Sequence, residues 1–234
     1  MPERRLDDGP RFFGRRRGKA LRARARELLD TLLPRLSLAV PPPGGPVDPA
    51  SWFETRPRAF WLEVGFGGGE HLAWQAAHNP DVGLIGGEVF LNGIASLLGQ
   101  IEDAGLDNVR IFPEDVRLLL PALPDARFER AFVLFPDPWP KKRHADRRFI
   151  GGDNLDQLAR LLADDGRLRI ATDDAVYKDW AREQMGKHKQ FSLVSEDGPD
   201  SRPADWPATR YEAKAIKAGR ACLFLEYRRV PRSG

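Results

Sequence analysis

A chain of 234 residues is long enough for one sizeable α/β domain with an extension, whereas two full domains would be crowded. Its single cysteine, Cys222, excludes an intrachain disulfide and is typical of a protein from a reducing cytoplasm. No run reaches the roughly 18 consecutive apolar residues of a membrane span, so we expect no membrane partner. The N-terminus also lacks the apolar segment of a secretory signal.

The first 26 residues form a basic arm. They hold ten Arg or Lys residues and three acids, a net charge of +7, against −4 for the remaining residues. Such a run is either a solvated tail or a surface for nucleic-acid phosphates, and Phe12 and Phe13 could stack on a base or pack on the body. We expect the arm to bind RNA phosphates, so deletion of residues 1–18 should weaken RNA binding while the cofactor site survives. A helix at 19–33 and a Pro-rich linker at 41–57 follow. Residues 1–58 are therefore predicted as an N-terminal unit ahead of a domain at 59–234.

A strand, a glycine-rich turn and a helix are predicted at residues 59–64, 65–69 and 70–77. This arrangement lets a nucleotide-like ligand approach the backbone closely. The dinucleotide fingerprint G-x-G-x-x-G fails, because its third glycine would fall on Glu70 or Leu72. The pattern E-x-G-x-G-x-G instead resembles the motif of S-adenosylmethionine-dependent methyltransferases. Its residues are Glu63, Gly65, Gly67 and Gly69.

Three further strands are predicted at residues 82–87, 108–114 and 131–135. Glu88, Asp115 and Asp137 follow their carboxyl ends. Taken singly, each acid is more often a helix cap or a solvated turn residue. The carboxyl ends of parallel strands, however, meet at one edge of a sheet. With Glu63, these acids predict a ligand site in which Glu88 accepts ribose hydroxyl hydrogen bonds and Asp115 meets an adenine edge.

The ten residues 135–144, F-P-D-P-W-P-K-K-R-H, lie just beyond the fourth strand. Proline fixes φ and removes backbone donors, so P-D-P-W-P is predicted to be a stiff loop. The loop carries the carboxylate of Asp137 and the indole of Trp139, and three cationic residues follow it: Lys141, Lys142 and Arg143. This combination predicts an active site for a substrate that carries both a base and phosphates.

The rest of the chain alternates helices with strands. Helices are predicted at 153–163 and 175–185, and strands at 166–171, 191–196 and 220–227. A turn at 197–200 opens a long polar loop. The alternation indicates a mostly parallel sheet.

Together these segments resemble the bacterial tRNA (guanine-N7-)-methyltransferase family from about residue 60 to residue 227. The shared motifs are L-E-V-G-F-G-G-G, G-E-V-F, E-D-V, F-P-D-P-W-P-K-K-R-H, A-T-D at 171–173 and T-R-Y-E at 209–212. The resemblance implies an α/β, Rossmann-like methyltransferase fold, in which helices cover both faces of a mostly parallel seven-stranded sheet with an antiparallel edge. The basic N-terminal extension would be added to this fold. The chain departs from the family pattern at Ala145, Asp146 and residues 213–220, which bear on RNA docking.

The resemblance also implies an activity. A monomer would transfer a methyl group from S-adenosylmethionine to the N7 atom of a guanine in tRNA, at nucleotide 46 of the variable loop. The implied cofactor-binding residues are Glu63, Gly65, Gly67, Glu88, Asp115 and Asp137, of which Asp137 is also catalytic. The implied tRNA-binding residues are Lys141, Arg143, Asp173, Thr209, Arg210, Tyr211 and Glu212. Because N7 has a free lone pair and no proton, attack needs no general base, and a carboxylate can stabilise the developing cation.

Two other functions stay open from the sequence. A methyltransferase of an exocyclic base amine typically has an Asn/Asp-Pro-Pro-aromatic loop, and here Trp139 stands where the second proline belongs. A non-catalytic RNA-binding protein on the same scaffold would need neither the glycine turn nor the acids. No metal is expected, because the four histidines lack ligand spacing with one another or with Cys222.

Overall fold

The computed structural model describes residues 12–39, 46–198 and 202–232. In this part of the chain the strands are β1 (Ala59–Val64), β2 (Val82–Gly87), β3 (Val109–Phe112), β4 (Phe128–Leu134), β5 (Leu162–Thr172), β6 (Phe191–Asp197) and β7 (Leu223–Arg229). They form one seven-stranded sheet in the order β3-β2-β1-β4-β5-β7-β6. The first five strands are parallel, and β7 pairs antiparallel with both β5 and β6. The predicted sheet with its antiparallel edge is confirmed.

The central strands are covered on both sides. Every residue of β1 and β2 is buried, as expected for parallel strands between two layers of helices. Side chains of successive strand residues enter two separate apolar cores, which is the period-2 alternation of a strand. Leu62 belongs to one core and its neighbour Trp61 to the other.

The helices of the described residues are α1 (Ala23–Thr31), α2 (Leu33–Leu36), α3 (Glu70–His78), α4 (Leu91–Ala104), α5 (Gly152–Leu161), α6 (Ala175–Lys187) and α7 (Arg210–Lys217). Buried residues of α1, α3, α4 and α7 join the core that contains Trp61, and those of α5 and α6 join the core that contains Leu62. None of these helices is both long and apolar enough to cross a membrane.

Helix α7 corrects the predicted long polar loop after residue 200. Its first turn is the T-R-Y-E segment, in which the Thr209 hydroxyl accepts a hydrogen bond from the backbone N–H of Glu212 at 3.2 Å. This is half of the capping-box pattern T-x-x-E, so a signal for the helix start was present in the sequence. The helix shows little apolar periodicity by which it could be recognised, because two residues, Glu212 and Ala215, form its buried face.

Two glycines of α4 offer a matched test of how closely this helix approaches the glycine turn. A Cβ atom on Gly93 would lie 2.0 Å from the carbonyl oxygen of Gly67, whereas one on Gly99 would meet open space. We expect Gly93→Ala to lower the free energy of unfolding by about 1–3 kcal/mol, the usual cost of overpacking. Gly99→Ala should raise it by up to about 1 kcal/mol, because alanine favours a helix. Urea denaturation of both variants measures the difference, and equal midpoints would contradict the close approach.

Candidate active site

The carboxyl ends of the parallel strands open into a cavity of about 390 Å³. We call it the main cavity. It lies where the chain order of the strands reverses between β1 and β4, which is the usual ligand position in an open α/β sheet. Five of the six predicted cofactor residues line it: Gly65, Gly67, Glu88, Asp115 and Asp137.

The glycine turn forms the floor of the main cavity. Gly65 has φ of +68°, a left-handed conformation that favours glycine, and a Cβ atom there would meet no other atom within 4 Å. Its backbone N–H donates to the carbonyl of Gly87 at 2.8 Å, which ties the turn to β2. Tyr211 lies against the turn at Gly67, since a Cβ atom on Gly67 would come within 2.6 Å of its ring. Open backbone is therefore presented to a ligand at Gly65.

Glu88 braces this turn from the end of β2. Its carboxylate accepts three backbone hydrogen bonds, each of 2.8 Å, from Gly67, Val89 and Phe90. Burial raises the pKa of Glu88, while the three backbone donors act in the opposite direction. A carboxylate has about four acceptor positions, so roughly one remains for a ligand hydroxyl.

Asp115 is held at the edge of the main cavity by its own neighbours. It caps the 3₁₀ turn Val116–Leu118 and accepts the backbone N–H of Arg117 at 3.0 Å. The guanidinium of Arg117 also donates hydrogen bonds to both carboxylate oxygens, at 3.0 Å and 2.6 Å. This bidentate ion pair fixes the orientation of the carboxylate.

Glu63 corrects the expectation that four acids share the cavity wall. It is the fifth residue of β1, only 2% exposed, and its Oε2 lies 2.7 Å from Nδ1 of His71 on α3. The structure therefore places Glu63 behind the glycine turn and outside the lining of the main cavity. Glu63 is the fifth of six residues in the strand as predicted and as observed, and alternation turns its side chain toward the core that contains Trp61.

The P-D-P-W-P loop is strained and firmly anchored. Phe135 and Trp139 have φ of +50° and +42°, which is uncommon outside glycine and clusters at functional sites. Buried Arg148 holds the loop by donating to the carbonyls of Pro138 at 3.0 Å and Trp139 at 2.9 Å. Asp137 keeps an exposed face toward the main cavity, and partial burial raises the pKa of its carboxyl group.

Two of the predicted tRNA-binding residues, Lys141 and Arg143, are exposed beside this loop. Asp173 follows β5 and is paired with Arg220 at 2.7 Å. Its carboxylate is thus already engaged within the fold.

The four residues of the T-R-Y-E segment make different contacts. Thr209 caps α7, and Arg210 lies 3.5 Å from Glu70. Tyr211 is exposed, lines the main cavity and lies parallel to the ring of Phe135 at 6.4 Å. Glu212 is buried and accepts two hydrogen bonds from Arg202, so it stabilises the segment from within.

Residues 12–18, here called the strap, were not predicted to reach the cavity, yet Phe12, Phe13, Gly14 and Arg15 line it. The prediction that the cofactor site survives deletion of residues 1–18 stays a prediction. The ring of Phe13 packs edge-on against Trp139 at 6.1 Å, and the guanidinium of Arg147 lies 4.0 Å from the Phe13 centroid. Phe13 therefore packs on the body, as one of the two alternatives predicted.

Backbone contacts hold the strap in place. The carbonyl of Arg16 accepts the N–H of Leu91 at 2.9 Å, and Arg16 pairs with Glu114 at 3.0 Å. The N–H of Gly18 donates to the side chain of Asn92 at 2.7 Å. A basic charge run does not indicate which groups on the body it will contact, so sequence patterning could not reveal these contacts.

The ionic lining of the main cavity is mixed. Carboxylates come from Glu88, Glu114, Asp115 and Asp137, and guanidinium groups from Arg15, Arg117 and Arg147. Across the described residues, no group of three His, Cys, Asp or Glu side chains is placed to hold a metal ion.

Comparisons with known proteins agree with this architecture. Residues 57–225 match a family model described as "Putative methyltransferase". Among solved structures, a 16S rRNA methyltransferase, KamB, aligns with 75% of this chain and 89% of its own, at a TM-score of 0.56 and 14% identity. The 16S rRNA (adenine(1408)-N(1))-methyltransferase from Catenulisporales acidiphilia aligns with 75% of this chain and 90% of its own, at a TM-score of 0.51 and 14% identity. At such identities the likeness concerns the fold.

Curated relatives are much more similar in sequence. A tRNA (guanine-N(7)-)-methyltransferase of Paramagnetospirillum magneticum is 60% identical over 95% of this chain and 94% of its own. One of Rhodospirillum rubrum is 52% identical over 100% of this chain and 92% of its own. With these identities over nearly the whole length, the chain belongs to the tRNA (guanine-N(7)-)-methyltransferase family.

Proposed function

We propose that this protein transfers a methyl group from S-adenosylmethionine to the N7 atom of a guanine in tRNA and forms 7-methylguanosine. One observation carries the proposal: the P-D-P-W-P loop brings Asp137 and Trp139 to the same cavity wall as the glycine turn and Glu88. A charged group, a flat aromatic surface and a nucleotide-type floor thus meet in one place. The relatives' activity supports this assignment over an exocyclic-amine methyltransferase or a non-catalytic RNA-binding protein.

The residues of the main cavity fit S-adenosylmethionine. Its volume of about 390 Å³ is in the usual range for small-ligand sites. Its carboxylates suit a ligand with cationic sulfonium and ammonium groups, and Gly65 leaves space for close approach to the backbone. Glu88 would hold the ribose and Asp115 the adenine edge. When bound, S-adenosylmethionine supplies an electrophilic methyl group on a positively charged sulfur.

Glu63 does not line the main cavity, because its carboxylate lies behind the glycine turn and contacts His71. Its contact with the cofactor stays a prediction from the family resemblance. The monomeric state and the cytoplasmic location likewise stay predictions from the sequence.

The protein's part in the reaction is alignment and electrostatics. Guanine N7 attacks with its own lone pair, so no side chain has to remove a proton first. Asp137 places a negative charge where the purine becomes cationic, and the strained, anchored loop holds it there without reorganisation. Trp139 and Tyr211, which line the same cavity, offer faces on which an unpaired base can stack.

Binding of the RNA would extend from this cavity over the exposed cations that follow the loop. Lys141 and Arg143 are exposed and can meet phosphates. Asp173, Arg210 and Glu212 would act next to them, with Asp173 and Glu212 fixing the local backbone through their ion pairs. We propose nucleotide 46 of the variable loop as the target on the strength of the family resemblance.

Glu88→Gln tests the ribose assignment. The amide loses the charge and one acceptor oxygen, so the affinity for S-adenosylmethionine should fall by about 1.5–3 kcal/mol, the range for hydrogen bonds to a charged group. Glu114→Gln is the matched control, because Glu114 lines the same cavity and, among the residues that the structure describes, its carboxylate forms an exposed pair with Arg16. Calorimetry on both variants makes the measurement. Equal affinities for the two would remove Glu88 from cofactor binding.

Asp137→Asn tests the catalytic assignment. Asparagine keeps shape and hydrogen bonding but loses the charge, so the single-turnover rate of methyl transfer should fall by roughly 10²–10³. Asp137→Ala should be similarly slow, and tRNA affinity should change little. Because partial burial raises the pKa of Asp137, its carboxylate loses its charge at a higher pH than a free aspartate does. As the pH is lowered, the native rate at saturating cofactor should therefore begin to fall at a pH above the usual pKa of aspartate. Asp146→Asn, an exposed acid in the following 3₁₀ turn, is the control and should stay near the native rate. A near-native Asn variant at position 137 would exclude the electrostatic role.

Lys141→Gln combined with Arg143→Gln tests the phosphate contacts. The slope of log affinity against log salt for tRNA should become shallower by about 1–2, since fewer counterions are released. The control combines Lys187→Gln with Lys189→Gln, exposed cations at the far end of α6, away from the carboxyl edge of the sheet. Filter binding over a salt series measures the slopes. An unchanged slope in the first variant would exclude these two cations from the RNA interface.

A further inference from the structure

A buried chain of polar groups runs from β1, through α3, to the loop that leads into α7. Oε2 of Glu63 lies 2.7 Å from Nδ1 of His71, and Nε2 of the same ring lies 3.2 Å from Nε2 of Gln75. The Gln75 amide then donates to the backbone carbonyl of Asp205 at 2.8 Å. The residues Glu63, His71 and Gln75 are each 2% exposed or less. Burying a polar group costs free energy unless the group is hydrogen-bonded, so these hydrogen bonds hold the three side chains in one fixed arrangement.

The direction of each hydrogen bond follows from the chemistry of the partners. The NH₂ group of Gln75 can only donate, so Nε2 of His71 accepts and its Nδ1 carries the hydrogen that Glu63 accepts. The two N–H bonds of Gln75 are divided between His71 and the Asp205 carbonyl, and its oxygen accepts from Asn79 at 3.3 Å. If the Gln75 amide were flipped, its oxygen would face the carbonyl oxygen of Asp205, and two acceptors would repel each other. One tautomer of His71 thus satisfies both neighbours.

The far end of this chain is fastened to the sheet. The carboxylate of Asp205 accepts from Arg130 at 3.1 Å and pairs with Arg169 at 2.8 Å. The next residue, Trp206, is buried, and its ring lies 6.4 Å from that of His71. Thr209, the cap of α7, follows three residues later. The position of the T-R-Y-E segment therefore depends on the anchorage of Asp205 and Trp206.

The near end lies directly behind the main cavity. Val64, next to Glu63, lines that cavity together with Gly65. In the part of the chain that the structure describes, His71 supplies the side-chain hydrogen bond to the Glu63 carboxylate. His71 thus contacts, through one ring, both the support of the glycine turn and the support of α7.

We propose that His71 is a positioning residue that links the two halves of the active site. Through Nδ1 it fixes Glu63 behind the glycine turn, and through Nε2 and Gln75 it fixes the loop that carries the T-R-Y-E segment. The inference rests on the proposed function, because it treats the first half as the cofactor side and the second as the tRNA side. An apolar residue at this core position would pack equally well but would leave Glu63 without its donor.

Two amide substitutions separate the functions of the two ring nitrogens. In His71→Asn the short amide can donate to Glu63 but cannot reach Gln75. In His71→Gln the longer amide presents an oxygen to Gln75 and leaves Glu63 unpaired. Gln75→Leu is an independent third variant that keeps the Glu63–His71 bond and removes the link to Asp205. His78→Asn on the exposed end of α3 is the control, since within the described residues His78 hydrogen-bonds to the carbonyl of Trp74 and stacks on its ring.

The measurements are the dissociation constant of S-adenosylmethionine by calorimetry without RNA, and kcat and KM for tRNA at saturating cofactor. We expect His71→Asn and Gln75→Leu to raise KM for tRNA about tenfold and to leave cofactor affinity within about twofold. His71→Gln should weaken the cofactor about tenfold and change KM for tRNA less. The control should match the native protein in both.

A purely structural role would lower thermal stability in all three variants without this split. The proposal is overturned if His71→Asn and Gln75→Leu leave KM for tRNA unchanged, or if they weaken cofactor and tRNA equally. Should His71→Asn fail to fold, Gln75→Leu decides alone. Failure of the proposed function would be seen separately, as a native protein that forms no 7-methylguanosine in tRNA.

Discussion

The position of β1 in the middle of the sheet is the constraint on which the site depends. Because β2 pairs with one side of β1 and β4 with the other, the connections leave β1 and β4 in opposite directions and a crevice opens between their carboxyl ends. The glycine turn follows β1 and the P-D-P-W-P loop follows β4, so both arrive at the same crevice. Glu88, at the end of β2, then bridges back to the turn through the N–H of Gly67. A shift in any of these pairings would separate the floor of the cavity from the loop that carries Asp137 and Trp139.

The bounds of β1 and β2 could be predicted to the residue, because these strands are buried on both faces and, apart from Glu63, consist of apolar residues and glycine. The glycine turn and the acids after β2, β3 and β4 followed from the same pattern. The position of the Glu63 side chain could not be predicted in this way. A carboxylate near the carboxyl end of a strand suggests a ligand-binding residue, whether its side chain points to the cavity or to the core. Its partner, His71, lies eight residues away on a helix, and only the packing of α3 on the sheet brings the two together.

Other features depend on contacts that sequence patterning does not record. The sequence pattern does not predict helix α4, and it predicts a loop at α7 because the exposed face of this helix dominates its composition. For the strap the pattern indicates a basic charge run, whereas the structure holds it by a backbone hydrogen bond, the side chain of Asn92 and the rings of Phe13 and Trp139. Long-range contacts of this kind depend on the tertiary structure, which a local pattern cannot specify.

The strap also gives the molecule a weak point. Arg15, Arg16 and Arg17 are consecutive, exposed and follow directly after the two phenylalanines at the cavity wall. A protease that cleaves after arginine would meet its preferred bond there, in an exposed segment outside any helix or strand. One cut would release Phe12 and Phe13 and leave every strand of the sheet in place. Preparations of this protein can therefore lose a wall of the main cavity while they still look fully folded by circular dichroism, and their N-terminal mass is the property to check.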